Sequence, residues 1–162
     1  MLKFFKFALP KPSLTSVVLA GIGGTLGIGA LALLDGNLDL AFVMAPFGAT
    51  CVLLFSVPAA PLSQPVNVLF GHFASALVGL ICLTLLQDTF WSLGLAVGLA
   101  IAAMAALRVT HPPAGANPIV VFALQPDWLF LLFPVATGAL LLIIVAIGYH
   151  RFTGLKYPNL PD

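Results

Sequence analysis

Residues 108–122 read RVTHPPAGANPIVVF, a stretch that sets an arginine, a histidine and three prolines inside an otherwise apolar run. The chemistry open to such a segment is that of charge and protons. Arg108 is a fixed cation, suited either to anchoring a helix end at a membrane interface or to drawing anions into a vestibule. His111 changes charge near neutral pH, so it suits proton coupling as well as plain hydrogen bonding at a helix terminus. His72, within FGHFAS, is a candidate for an interhelical hydrogen bond, and Ser75 for lining a pore or bonding back to its own helix. His150 stands next to Arg151 and reads as interfacial, while Gln64 and Asn67 read as caps of the helix that follows them. Cys51 and Cys82 fall within apolar runs and read as buried small residues. Paired carboxylates, a metal-ligand cluster and nucleophile–base spacing are all missing, so neither an enzyme nor a cofactor is expected.

The elements that must position these residues are membrane segments. The chain has 162 residues, 61% hydrophobic and 7% charged, with a formal net charge of +1. Its mean hydropathy is +1.15. A soluble domain carries about 25% charged residues, so this is an integral membrane protein of one domain, with the lipid bilayer as its surroundings. The near-neutral charge argues against nucleic acid as a partner. A cleavable signal peptide is not expected, because the basic start runs into a long apolar segment without a small-residue cleavage site. Residues 14–34, 66–86, 90–109 and 128–149 are each long enough to span; residues 40–57 and 114–124 are anomalous. The second of these is only eleven residues long, which as helix covers roughly 16 Å of a ~30 Å core. The two prolines after His111 keep residues 109–113 out of regular helix, and extended they add about another 16 Å. Residues 40–45 followed by 48–57 divide in the same way, into an extended part and a helix.

The two anomalies match each other. PFGATCVLLF (residues 46–55) aligns without a gap with PAGANPIVVF (residues 113–122) at an offset of 67, pairing Gly48 with Gly115, Ala49 with Ala116 and Thr50 with Asn117. The same offset pairs Gly71 with Gly138. Two three-segment repeats follow, about 1–87 and 88–162, and an odd number of crossings inverts the second copy. With Lys3, Lys6 and Lys11 inside, six crossings put Asp35, Asp39, Asp88 and Asp127 outside and Arg108, Arg151 and Lys156 inside. Four crossings with two re-entrant loops is the rival topology. In the six-crossing fold segments two and five are broken half-helices whose N-termini meet near mid-membrane, where unpaired N–H groups and dipole ends attract a small anion. The expected binding residues are Gly48, Ala49, Thr50, Arg108, His111, Gly115, Ala116, Asn117 and His72. GxxxG spacings at Gly23/Gly27 and Gly94/Gly98 read as tight packing within the chain, with a dimer face as the alternative.

The octapeptide HPPAGANP, with MAPFGATCVLLF and QPVNVLFGH, resembles the HPP family of small integral membrane proteins, and the resemblance covers most of the chain. Plant chloroplast and cyanobacterial members are associated with nitrite transport, so the resemblance implies nitrite as the anion. The sequence thus predicts an all-α transport protein of a bacterial plasma membrane, homo-oligomeric, with both termini cytoplasmic. A channel for a neutral solute such as urea and a non-transporting membrane subunit are the alternatives.

Overall fold

The computed structural model describes residues 10–38 and 42–159; Lys3, Lys6, Asp39 and Asp162 lie outside them. Among the described residues the fold is helical, without strands. Its helices are α1 (Leu14–Leu38), α2 (Ala45–Ser56), α3 (Pro65–Leu86), α4 (Phe90–Ala106), α5 (Asn117–Leu124) and α6 (Thr137–Thr153). A 3-10 turn, Pro112–Ala116, leads into α5, and turns over Trp128–Leu131 and Leu132–Ala136 lead into α6. Three spans are long and apolar enough to cross a membrane: Leu14–Gly36, Pro65–Leu86 and Trp128–Thr153. Ala45–Ser56, Phe90–Ala106 and Pro112–Leu124 are shorter.

Small residues set the packing. A Cβ on Gly27 would lie 3.0 Å from Cys51 Sγ and 3.2 Å from a Leu142 methyl, and one on Gly23 would strike the Phe55 ring. Gly138 receives the Phe47 ring and the Leu31 side chain in the same way. These registers make α1 antiparallel to both α2 and α6, and a Tyr149 hydroxyl donating to Leu19 O at 2.7 Å extends the α1–α6 seam. The Gly23/Gly27 pair therefore packs within the chain, as expected. Gly94 and Gly98 do not: nothing lies within 4 Å of a Cβ at either, and both are exposed on α4.

Helix α3 runs beside segment five in the same direction. Gly71 meets Val109 and His111, Ser75 meets Ala114, and Gly79 meets Pro118 and Val121. Segment five thus leaves the end where Asn67 donates to Thr110 O and reaches the end where Gln125 donates to Asp88. Among the described residues, Lys11, Arg108, Arg151 and Lys156 sit at one end of the bundle, and Asp35, Asp88 and Asp127 at the other.

The helix boundaries differ from the sequence expectation in one systematic way. Helix α2 starts at Ala45 rather than near Gly48, and the turn before α5 starts at Pro112 rather than after Pro113. A proline in a first helical turn lacks only an N–H that would go unbonded, and its φ is already helical. His111 is held extended by the proline that follows it (φ −134°, ψ 102°). Helix α4 ends at Ala106, closed by Arg108 N–H on Ala105 O and Val109 N–H on Met104 O. This is a Schellman cap, and Arg108 occupies its left-handed position (φ 60°) where glycine is usual. Val109 and Met104 complete it by packing together with Ala114.

Candidate functional site

Thr50 on α2, His72 on α3, His111 before the 3-10 turn and Asn117 at the start of α5 meet in the interior, each no more than 1% exposed. Polar side chains in an apolar bundle are costly unless paired with one another. Here they form a chain. Thr50 Oγ1 lies 2.8 Å from His72 Nε2 and 3.0 Å from His111 Nε2. Asn117 Nδ2 donates to His72 O at 2.9 Å and stands 3.1 Å from His72 Nδ1, with Asn117 Oδ1 at 3.2 Å. At the far end His111 Nδ1 lies 2.8 Å from Leu62 O.

The carbonyl of Leu62 can only accept, so His111 carries a proton on Nδ1. A neutral His111 then presents a bare Nε2, and Thr50 has the hydroxyl that can fill it. Having one proton, Thr50 must accept from His72, which therefore carries its proton on Nε2 and leaves Nδ1 to the Asn117 amide. The opposite tautomer of His72 would set two bare ring nitrogens against one hydroxyl proton. When both imidazoles are neutral, the bonds accordingly run in a single direction: Asn117 to His72 to Thr50 to His111 to Leu62 O.

Backbone packing holds this chain in place. Ser75 donates to Ala114 O at 2.6 Å, so it neither lines a pore nor bonds back to its own helix. Gly71 lets the loop approach: a Cβ there would lie 2.7 Å from His111 Cβ and 2.8 Å from Val109 O. The Phe47 ring meets the edge of His72 at 5.0 Å. Asn67 holds Thr110 O, and Gln64 Nε2 donates to Pro58 O and Ala60 O, so neither side chain caps α3 as expected. Gln64 Oε1 accepts Asn159 N–H, and Ser63 O accepts the Tyr157 hydroxyl. Burial pushes the Tyr157 phenol above its usual range.

The expected site residues separate into three groups. Thr50, His72, His111 and Asn117 come together inside. Gly48 and Ala49 are exposed, Gly115 and Ala116 half-buried, and Ala49 and Ala116 line an outward groove of about 540 Å³ with Pro46, Pro112 and Pro113. Arg108 stands apart, in a cleft of about 750 Å³ shared with Gln64, Asn67, Val109 and Asn159. Two expectations are corrected here. The side chains of Thr50 and Asn117 are taken by the histidines, and the Asn117 N–H is taken by Ala114 O. The first turns of segments two and five also pass side by side and antiparallel, rather than meeting end to end. Pro46 and Ala49 share one groove with Pro113 and Ala116, while Met44 and Ala45 share another with Ile119 and Val120. His150, which reads as interfacial in the sequence, is fully buried within the bundle: its Nε2 donates to Leu54 O at 2.8 Å, and its Nδ1 lacks a partner. Leu62 was invisible in the sequence because it contributes a carbonyl, which every residue type has. Cys51 and Cys82 are buried free thiols, as expected.

The family described as "HPP, transmembrane region" matches residues 9–158. Two Dictyostelium discoideum proteins, each named as a transmembrane protein, are similar to this chain. One is 35% identical over 146 residues, covering 82% of this chain and 47% of the relative. The other is 32% identical over 164 residues, covering 92% and 57%. The chain spans about half the length of these relatives. No solved structure matches it. The matched region contains the spanning helices, the HPP tripeptide and all four members of the buried chain, and the protein belongs to the HPP transmembrane family.

Proposed function

We propose that this protein transports a small inorganic anion across the membrane, with nitrite as the first candidate. The observation that carries this reading is the buried Thr50–His72–His111–Asn117 chain beside the first turns of two short helices. Intramembrane polar clusters of this kind mark transport pathways. Sign selectivity is supported by Arg108 in a cleft whose other lining residues are uncharged, and by the positive dipole ends of α2 and segment five. The reading includes six crossings in two inverted repeats with half-helices in segments two and five. Supporting it, the offset-matched Thr50 and Asn117 both bond His72, and the offset-matched Gly48 and Gly115 both face open space. We take the basic end of the bundle as cytoplasmic, and we include a homo-oligomer, since exposed small-residue faces on α2, α4 and segment five need cover. The groove at Ala49 and Ala116 has no charged lining residue, which favours a neutral solute such as urea as the second reading.

The test is flux in proteoliposomes of the purified protein. Nitrite, nitrate and chloride are each measured against urea, with protein-free vesicles subtracted. Saturable anion flux that falls with rising salt supports the proposal. Urea flux alone moves it to the second reading, and no flux of any solute leaves a non-transporting membrane subunit.

A further inference from the structure

We propose that His111 takes up one proton with each anion carried, making the protein a proton–anion symporter; this rests on the anion reading above. The argument is the count of hydrogen-bond positions along the buried chain. In the neutral state every proton is committed, and the Thr50 hydroxyl points at His111 Nε2. A second acceptor for that hydroxyl is already in place: Pro46 O, 3.1 Å from Thr50 Oγ1. When a proton adds to the lone pair of His111 Nε2, a new N–H bond forms and the Thr50 O–H bond stays intact. The hydroxyl turns to Pro46 O, and its oxygen accepts from both imidazoles. His111 Nδ1–H keeps its bond to Leu62 O, and His72 and Asn117 do not change. The chain therefore has one vacancy for a proton, with satisfied hydrogen bonds in the empty state and in the filled one.

The filled state is a buried imidazolium, and among the described residues nothing nearby neutralises it. Around His111, α2 presents Thr50, α3 presents His72 and Asn67, and the adjoining loop presents the Leu62 carbonyl. Helix α4 contributes Met104, in the apolar cluster with Val109 and Ala114. Among the described residues the charged groups at this end are Lys11, Arg108, Arg151 and Lys156, all cationic, and the carboxylates lie at the opposite end. The positive ends of α2 and segment five add to the penalty. An unpaired buried charge of this kind is strongly disfavoured, so His111 fills only when an anion sits alongside. By linkage, the proton raises anion affinity by the same factor as the anion raises proton affinity. His111 lies in the chain between Val109, which lines the Arg108 cleft, and Pro112, which lines the groove, so the loading position separates two clefts.

The experiment measures nitrite and nitrate uptake together with internal pH in proteoliposomes, subtracting protein-free vesicles. A one-unit pH gradient, alkaline inside, should accumulate the anion about tenfold, and clamping the membrane potential should not alter this. His111→Gln should abolish pH-driven accumulation, and Gly94→Ala, in open space on α4, should match wild type. Saturable anion flux that ignores the pH gradient and moves net charge would overturn symport and leave anion transport standing. Folded protein with no anion flux would overturn both. An independent readout is ¹⁵N spectroscopy of the three labelled histidines near neutral pH without anion. One should be the Nδ1–H tautomer and vanish in His111→Gln, whereas an Nε2–H His111 would overturn the assignment on which the proposal stands.

Discussion

Replacing Thr50 with valine keeps the shape of the side chain and removes the one hydroxyl that joins the two imidazoles. Three contacts go at once, at 2.8, 3.0 and 3.1 Å. The Pro46 carbonyl keeps its helical partner, but His72 Nε2–H and His111 Nε2 are left facing a methyl group in a fully buried site. Each orphaned group costs about 1–3 kcal/mol in a protein interior. Polar contacts between membrane helices fall toward the low end, with about 0.6–2 kcal/mol each, so the expected loss is about 2–4 kcal/mol. Thr50→Ser keeps the hydroxyl and gives up a methyl, so it should cost about 1 kcal/mol. The assay is reversible unfolding in mixed micelles, with the double variant Thr50→Val/His111→Leu completing a cycle. Removing the bare nitrogen as well should recover part of the loss, as a coupling of about 1–2 kcal/mol. A valine variant as stable as wild type, or strict additivity in the cycle, would refute the direction assigned to the chain.

Arg108→Gly should gain about 1 kcal/mol by relieving the left-handed backbone while lowering anion flux and its salt sensitivity; Arg108→Gln should lower flux without the gain, and equal melting of the two would show no strain at this cap. Gly71→Ala forces its Cβ against the His111 loop backbone and should cost about 1–3 kcal/mol, whereas Gly115→Val and Gly48→Val, in open space, should melt like wild type and impair anion affinity measured by competition flux. Tyr157 has its phenol raised by burial, so its contribution is complete below about pH 10 and is lost as pH rises through the folded value; stability measured against pH should fall above about 10 in wild type and stay flatter in Tyr157→Phe.

The helical content and the odd pair of short segments were legible because proline and length are local signals. The offset of 67 set Thr50 against Asn117, and both bond His72. It could not say which way their side chains face. The sequence expectation aimed them at a ligand, but His72 is pulled between them, and a buried imidazole in an apolar bundle claims any neutral polar group within reach. Helix starts were misplaced by two or three residues because proline looks like a breaker on paper, yet it is at ease in a first turn. The burial of His150 was hidden by its neighbour Arg151, which is exposed about 100° round the same turn.

The carbonyl that dictates the tautomer of His111 belongs to a loop whose next two residues are tied down from the far end of the chain. Ser63 O holds the Tyr157 hydroxyl, and Gln64 Oε1 holds the Asn159 amide. The segment after α6 thereby works as a remote fastening for a proton some fifty residues away in sequence. Pulling it off, by truncation, by a competing segment or by an attached domain, would loosen residues 61–64 and free Leu62 O to drift. His111 would then be at liberty to place its proton on either nitrogen, and the one-way order of the interior would lapse. A feature that looks like a simple tail clip thus gives the C-terminal side of the protein command over the polarity of its core.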